Sequence, residues 1–179
     1  MALIDKLTAA ERLILSGIVM VERNDDPLAV HVVAASALSL LRELIDKGGD
    51  NYAAMVLQQG LFHAAAARRA GTPVNLPTSP EIDALIDDVA AGIEKGAIKH
   101  PSDLTVTLDP KELHKLLGYI TRPFNFLKHA QKDPLATLDE SDVDGTGAIM
   151  HAVTAYTMLC PAEPLPEQVG AFLRAHGII

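Results

Sequence analysis

Residues 27–47 read Pro-Leu-Ala-Val-His-Val-Val-Ala-Ala-Ser-Ala-Leu-Ser-Leu-Leu-Arg-Glu-Leu-Ile-Asp-Lys and carry the clearest helical signal in the chain. Asp25-Asp26-Pro27 supplies an N-cap and a proline in the first turn, and Gly48-Gly49 supplies a stop. One apolar stripe follows the helical period and consists of Val30, Val33, Ala34, Ala37, Leu38, Leu41, Leu44 and Ile45. The pattern predicts an amphipathic helix that forms the centre of the core.

Similar start and stop signals divide the rest of the chain into helices. Thr8-Ala-Ala-Glu11 is a capping box at the start of the first helix, and Thr78-Ser-Pro-Glu81 opens another. We predict further helices at Tyr52 to Arg69, Asp109 to Ile120, Thr121 to before Pro134, Ala148 to Leu159 and Pro166 to His176. The run Leu104-Thr-Val-Thr-Leu108 alternates like a short strand, but the sequence offers it no partner strand.

Composition agrees with an all-α protein of one domain. The chain has 179 residues, of which 49% are hydrophobic and only 4% aromatic, so it can bury a core but lacks the aromatic content typical of strands. We therefore predict a single all-α domain over residues 1–179, a bundle of four or five main helices with short peripheral ones. The net charge of −8 disfavours binding to nucleic acid or to an anionic membrane, except through a local basic patch.

The cysteine content and the N-terminus indicate an intracellular protein. A single cysteine, Cys160, cannot form an internal disulfide, and an odd thiol is typical of a reducing compartment. Residues 1–7 lack the apolar region of a signal peptide, and we expect no membrane-spanning segment. The sequence predicts a cytoplasmic protein with no membrane contact.

Motifs for nucleophilic catalysis, nucleotide phosphates and metals are missing. The sequence contains no G-x-S-x-G, no P-loop and no G-x-G-x-x-G. Among the seven histidines, His31, His63, His129 and His151 fall in predicted helices, but no H-x-x-x-H or E-x-x-H pair places two ligands on one helix face. Asp142-Val-Asp144-Gly145 lacks the ligand spacing of a calcium loop. We predict no metal and no cofactor, and for His31 a local hydrogen bond.

The segment Arg122-Pro-Phe-Asn-Phe-Leu-Lys-His129 is the most distinctive stretch for chemistry. Asn125 and His129 are four residues apart and Arg122 and His129 seven, so the three project from one helix face. They could act on a phosphodiester, with Arg122 as anion clamp, His129 as general acid or base and Asn125 as orienter. The alternative interpretation is structural: Arg122 forms a cap or a salt bridge, and His129 with Lys128 favours the helix C-terminus.

An all-α domain whose late helix carries Arg, a polar residue and then His resembles the HEPN superfamily of helical bundles. The matching residues are Arg122, Asn125 and His129. The resemblance implies a bundle that is often dimeric and in many members is a metal-independent ribonuclease, whereas others are non-catalytic. Residues 125–130 and 29–35 are also similar to bacterial proteins with no assigned function, and this closer likeness implies no chemistry.

Two hypotheses about function follow. The first is a non-catalytic interaction or regulatory module that forms a homo-oligomer or binds a protein partner. The second is a HEPN-like ribonuclease that uses Arg122 and His129, with RNA as its substrate. Acidity, the scarcity of aromatic side chains for base stacking, and Pro123, which places Arg122 at the start of its helix, favour the first hypothesis.

Overall fold

The computed structural model describes residues 3–73, 80–105, 118, 121–129, 133–162 and 164–177. Most of the described residues are helical and none lies in a strand, which confirms the predicted all-α fold. The α-helices are α1 (Lys6–Glu22), α2 (Pro27–Lys47), α3 (Tyr52–Arg69), α4 (Pro80–Glu94), α5 (Arg122–Lys128), α6 (Gly145–Leu159) and α7 (Glu167–Ala175). Short 3₁₀ turns lie at Pro101–Asp103 and Glu140–Asp142.

The chain divides into two compact units, which are Met1–Asp50 with Leu116–Ile179, and Asn51–Lys115. In the first unit α2 packs against α1, α5 and α6, and α1 also contacts α6 and α7. Val30, Ala34, Ala37, Leu38, Leu41 and Ile45 of the predicted stripe are buried, whereas Val33 and Leu44 are only half-buried. The stripe of α2 is thus a core element, as the spacing predicts. The prediction of a single domain stays a prediction.

The second unit is a smaller assembly of α3, α4 and the turn at Pro101–Asp103. Its core consists of Ala64, Ala65, Ile86 and Val89, with Leu61, Ala90, Ile93, Ile98 and Leu104 packed against it. The Arg68 guanidinium joins α3 to α4, because it lies 2.6 Å from Asp83 Oδ1 and 2.7 Å from Asp87 Oδ1. These carboxylates raise the pKa of Arg68, the hydrogen bond to Asp87 having the largest effect.

The helix boundaries agree with the sequence signals except at two starts and at the end of α5, which stops at Lys128 although the helix was predicted to continue to just before Pro134. α1 begins two residues before Thr8, because Asp5 is its N-cap and its Oδ1 accepts the Thr8 N–H at 2.7 Å. That hydrogen bond holds the pKa of Asp5 below its usual value. α6 begins three residues before the predicted Ala148, because Asp144 caps it by accepting the Gly147 N–H at 2.7 Å. Both helix starts depend on an aspartate that the sequence analysis did not recognise as a cap.

Two other predictions lie partly outside the described residues. Of the predicted helix from Asp109 to Ile120, only Gly118 is described, and it is helical. Of the predicted strand, Leu104 and Thr105 are described and belong to no strand.

Among the described helices α2 is also long and apolar enough, by length and composition, to cross a membrane. Its mean hydropathy over 18 residues is 1.7, and the sequence analysis did not expect such a segment. The signal is weak, because a core helix passes the same test and 44% of these residues are buried inside the protein. The cytoplasmic location stays a prediction.

Candidate functional site

A cavity of about 120 Å³ lies in the first unit, where α2, the first turn of α5 and the start of α6 meet. Five of its eight lining residues carry ionisable side chains. The lining residues are His31, Arg122, Pro123, Asp142, Asp144, Gly147, Ala148 and His151. Two imidazoles, a guanidinium and two carboxylates therefore line a space well above the roughly 10–15 Å³ that one water molecule requires.

His31 is the most deeply buried polar residue of this site. It lies on α2, is 3% exposed, and its Nδ1 donates a hydrogen bond over 3.1 Å to the main-chain oxygen of Asp144. Because a carbonyl oxygen only accepts, Nδ1 carries the hydrogen and is the donor. Nε2 is buried and has no hydrogen-bond partner within the described part of the chain. The prediction of a local hydrogen bond for His31 is wrong, since Asp144 lies 113 residues away in sequence.

Arg122 reaches the same cavity from the first residue of α5. Its Nη1 lies 2.8 Å from Asp142 Oδ2, and 56% of its side chain is exposed. Arg122 also helps to lower the pKa of nearby Asp139, although the Ser141 hydroxyl, which donates to Asp139 Oδ1 at 2.6 Å, has the largest effect on that pKa. Arg122 therefore forms the salt bridge that the structural interpretation of this residue expects.

Asp144 holds the start of α6 against the cavity. Its Oδ1 accepts the Gly147 N–H, and its main-chain oxygen accepts from His31. A Cβ at Gly147 would overlap the Asp144 carboxylate, so glycine leaves room for this group beside the helix start. One turn further along, burial lowers the pKa of His151, and the nearby negative charge of Asp144 opposes that effect only in part.

The three residues predicted as a phosphodiester site are not brought together around this cavity. Arg122 lines it, but Asn125 and His129 are not among its lining residues. The exposed Asn125 donates from Nδ2 to Thr121 Oγ1 over 2.9 Å, and the half-buried His129 is the C-cap of α5. Arg122 and His129 lie at opposite ends of a seven-residue helix, a rise of roughly 10 Å. Their catalytic role stays a prediction.

Metal binding finds no support in the described part of the chain. No group of three or more His, Cys, Asp or Glu side chains is placed there to hold a metal ion. The cavity is suited instead to hydrogen bonding, because charged side chains of both signs line it beside His31.

Sequence reasoning missed most of this site because its members come from separate segments. His31 and His151 were noted singly, and Asp142 and Asp144 only as an unsuitable calcium loop. Two signals were available: a histidine interrupts the most apolar stretch of α2, and Asp144-Gly145-Thr-Gly147 is an N-cap followed by small residues. Neither signal indicates which residues the fold brings together.

Comparisons with protein-family models, with curated proteins and with solved structures found no match for this chain. They neither support nor contradict the HEPN resemblance.

Proposed function

We propose that the protein is a non-catalytic regulatory module that binds a small polar ligand in the His31 cavity. One observation carries the proposal: His31 lines the cavity, and its buried Nε2 has no hydrogen-bond partner among the residues that the structure describes. A buried polar atom that makes no hydrogen bond costs on the order of 1–3 kcal/mol. A ligand that reached Nε2 and supplied a partner would recover this free energy.

The surroundings of His31 support a binding site over an accidental packing gap. The hydrogen bond to Asp144 fixes the tautomer and the orientation of the ring. The Gly147 N–H donates to the Asp144 side chain, so the residue whose main-chain oxygen accepts from His31 is itself held in place. Half-exposed Arg122 and Asp142 give the cavity a polar rim. A buried, oriented polar group beside exposed charged groups is typical of a site for a small ligand.

The variant His31→Asn tests the proposal with little disturbance. The asparagine amide can still donate to the Asp144 carbonyl oxygen from near the position of Nδ1, but it has no counterpart of Nε2. His63→Asn is a matched control, because His63 is an exposed histidine on α3. Thermal unfolding of the three proteins is followed with ethanolamine, glycolate, inorganic phosphate and ethylene glycol, each added separately.

We expect at least one probe to raise the unfolding midpoint of the wild type and of His63→Asn, and to leave that of His31→Asn unchanged. At a ligand concentration of one hundred times Kd the stabilisation is about 2.7 kcal/mol, which corresponds to about 5–10 °C for a chain of this size. If no probe stabilises the wild type, or if His31→Asn responds equally, the proposed function is wrong.

The alternative function, a HEPN-like ribonuclease, is tested on the same preparation with mixed single-stranded RNA. A general acid or base contributes about 100- to 10,000-fold to such a reaction. We expect no cleavage by the wild type; cleavage that His129→Ala abolishes would overturn the non-catalytic proposal.

Self-association belongs to the proposal as well, and a molar mass of 19.1 kDa for the particle in light scattering would contradict it.

A further inference from the structure

We infer that two copies of this chain associate by docking α4 of one copy against α5 of the other. This association is the one that belongs to the proposed function, and the inference names the two surfaces that carry it. It depends on where exposed apolar side chains lie on the described helices and on the charges beside them.

Large apolar side chains are exposed on two of the described helices. Of the six large hydrophobic residues that are exposed in the described part of the chain, three lie on α-helices: Ile82 and Leu85 on α4, and Leu127 on α5. Their exposed fractions are 39%, 45% and 42%. Contact with another molecule would remove this apolar surface from water, which favours association.

Negative charge accompanies the exposed apolar side chains of α4. Ile82 and Leu85 are three residues apart and lie on one side of the helix, and the exposed Asp88 follows Leu85 by three further residues. α4 contains five acidic residues and no basic one. Arg68 of α3 pairs with two of these carboxylates, whereas Asp88 forms no ion pair with another described residue. α4 therefore presents an acidic apolar face.

Positive charge accompanies the exposed apolar side chain of α5. Phe124, Leu127 and Lys128 are three and four residues apart, so they share one face of this helix. Lys128 is exposed, and its Nζ lies 5.6 Å from the centre of the Phe124 ring. Lys128 forms no ion pair with a carboxylate of the described residues, and α5 contains no acidic residue. α5 therefore presents a basic apolar face.

The two faces complement each other better than either complements a second copy of itself. Pairing α4 with α4 would bring acidic residues together, and pairing α5 with α5 would bring two Lys128 ammonium groups together. Like charges across an interface disfavour the contact, whereas opposite charges select the partner. Docking α4 against α5 buries the exposed side chains of both and brings Lys128 of one copy towards Asp88 of the other. Because the faces differ, the contact is heterologous, and each copy contributes one face of each kind.

A mixing experiment distinguishes this contact from every other mode of self-association. Leu85→Ser weakens the face on α4 and Leu127→Ser the face on α5, so a mixture of the two variants retains one intact face of each kind. Leu135→Ser is the matched control, because Leu135 is 88% exposed and belongs to neither helix. Analytical ultracentrifugation over a range of concentrations measures the Kd for association, and thermal unfolding followed by circular dichroism checks that each variant folds.

We expect Leu85→Ser and Leu127→Ser each to weaken self-association about tenfold or more, as truncation of a central apolar residue does, and Leu135→Ser to associate like the wild type. The mixture of the first two should associate more tightly than either variant alone. Wild-type association of either variant, or a mixture no tighter than its components, would overturn the inference and leave self-association standing. A monomeric wild type would overturn both, and the ligand test with His31→Asn is independent of that result.

A charge exchange keeps the test decisive if a serine variant fails to fold. Asp88→Lys and Lys128→Glu change exposed side chains and leave the core intact. Each variant alone opposes like charges across the contact, whereas their mixture again pairs opposite charges. We therefore expect the mixture to associate more tightly than either variant alone. Equal association of the mixture and of the single variants would overturn the inference.

Discussion

At the scale of single residues, His151 reports on the electrostatic character of the cavity. Burial disfavours its charged form, and the Asp144 carboxylate favours that form but has the smaller effect. The result is a pKa below the ordinary value of 6.5. The folded protein therefore resists protonation of His151 in mildly acidic solution, where the unfolded chain binds the proton readily.

This shift gives the stability of the protein a pH dependence with a definite sign. As pH falls through about 6.5, the unfolded state binds a proton at His151 and the folded state does not, so the free energy of unfolding decreases. We expect His151→Gln to lose less stability than the wild type between about pH 7.5 and about pH 5.5 in urea unfolding. His63→Asn is the control for an exposed histidine. Equal decreases in the free energy of unfolding of the wild type and of His151→Gln over this pH range would contradict the prediction.

At the scale of helices, the close approach of α2 and α6 forms one wall of the site. Gly145, the first residue of α6, lies against Val30 and the main chain of Pro27. A Cβ at Gly145 would be 2.8 Å from Val30 Cγ1 and 3.2 Å from the Pro27 carbonyl oxygen, which is closer than carbon and oxygen atoms pack. Glycine lets Asp144, the neighbouring cap, approach His31 on α2 closely enough for the hydrogen bond.

Gly145→Ala should therefore destabilise the protein by about 1–3 kcal/mol, although alanine is the better helix former. Val30→Ala in the same chain should recover part of the loss, since Val30 provides the nearest atoms. Gly60→Ala on α3 is the matched control, because no described residue lies within 4 Å of a Cβ there, and it should be neutral or stabilising. Equal effects of Gly145→Ala and Gly60→Ala on the free energy of unfolding would rule out the close contact.

At the scale of the whole molecule, the described cores of the two units differ in the side chains that they bury. The first unit buries long side chains of four helices, among them Ile14, Leu41, Ile149 and Phe172. The described core cluster of the second unit joins Ala64 and Ala65 to Ile86 and Val89. The prediction of one domain over the whole chain stays a prediction.

If the chain is one domain, weakening either core should lower the midpoint of one unfolding transition that both units share. Leu41→Ala in the first unit and Ile86→Ala in the second each remove a fully buried side chain and should cost about 2–5 kcal/mol. Leu135→Ala is the control, because Leu135 is 88% exposed. Urea unfolding followed by circular dichroism, with hydrogen exchange in both units, distinguishes the outcomes: separate transitions for the two units would show two domains.

Local sequence determined the helices and the inward face of the longest one. Caps, prolines and glycines act within a few residues, so Pro27, Gly48 and the apolar stripe sufficed to predict α2 and its buried Leu41. An exception is also local. The start of α1 is capped by Asp5, two residues before the predicted start, and not by Thr8.

Only the tertiary structure decided which polar residues share a site. The partner of His31 is the main-chain oxygen of Asp144, and a main-chain acceptor leaves no mark in sequence. Arg122 was predicted to act with His129 on its own helix, but the fold places it beside Asp142 and in a cavity with His31 and His151. Spacing along one helix predicts which residues share a face, whereas the meeting of α2, α5 and α6 depends on how their apolar faces pack.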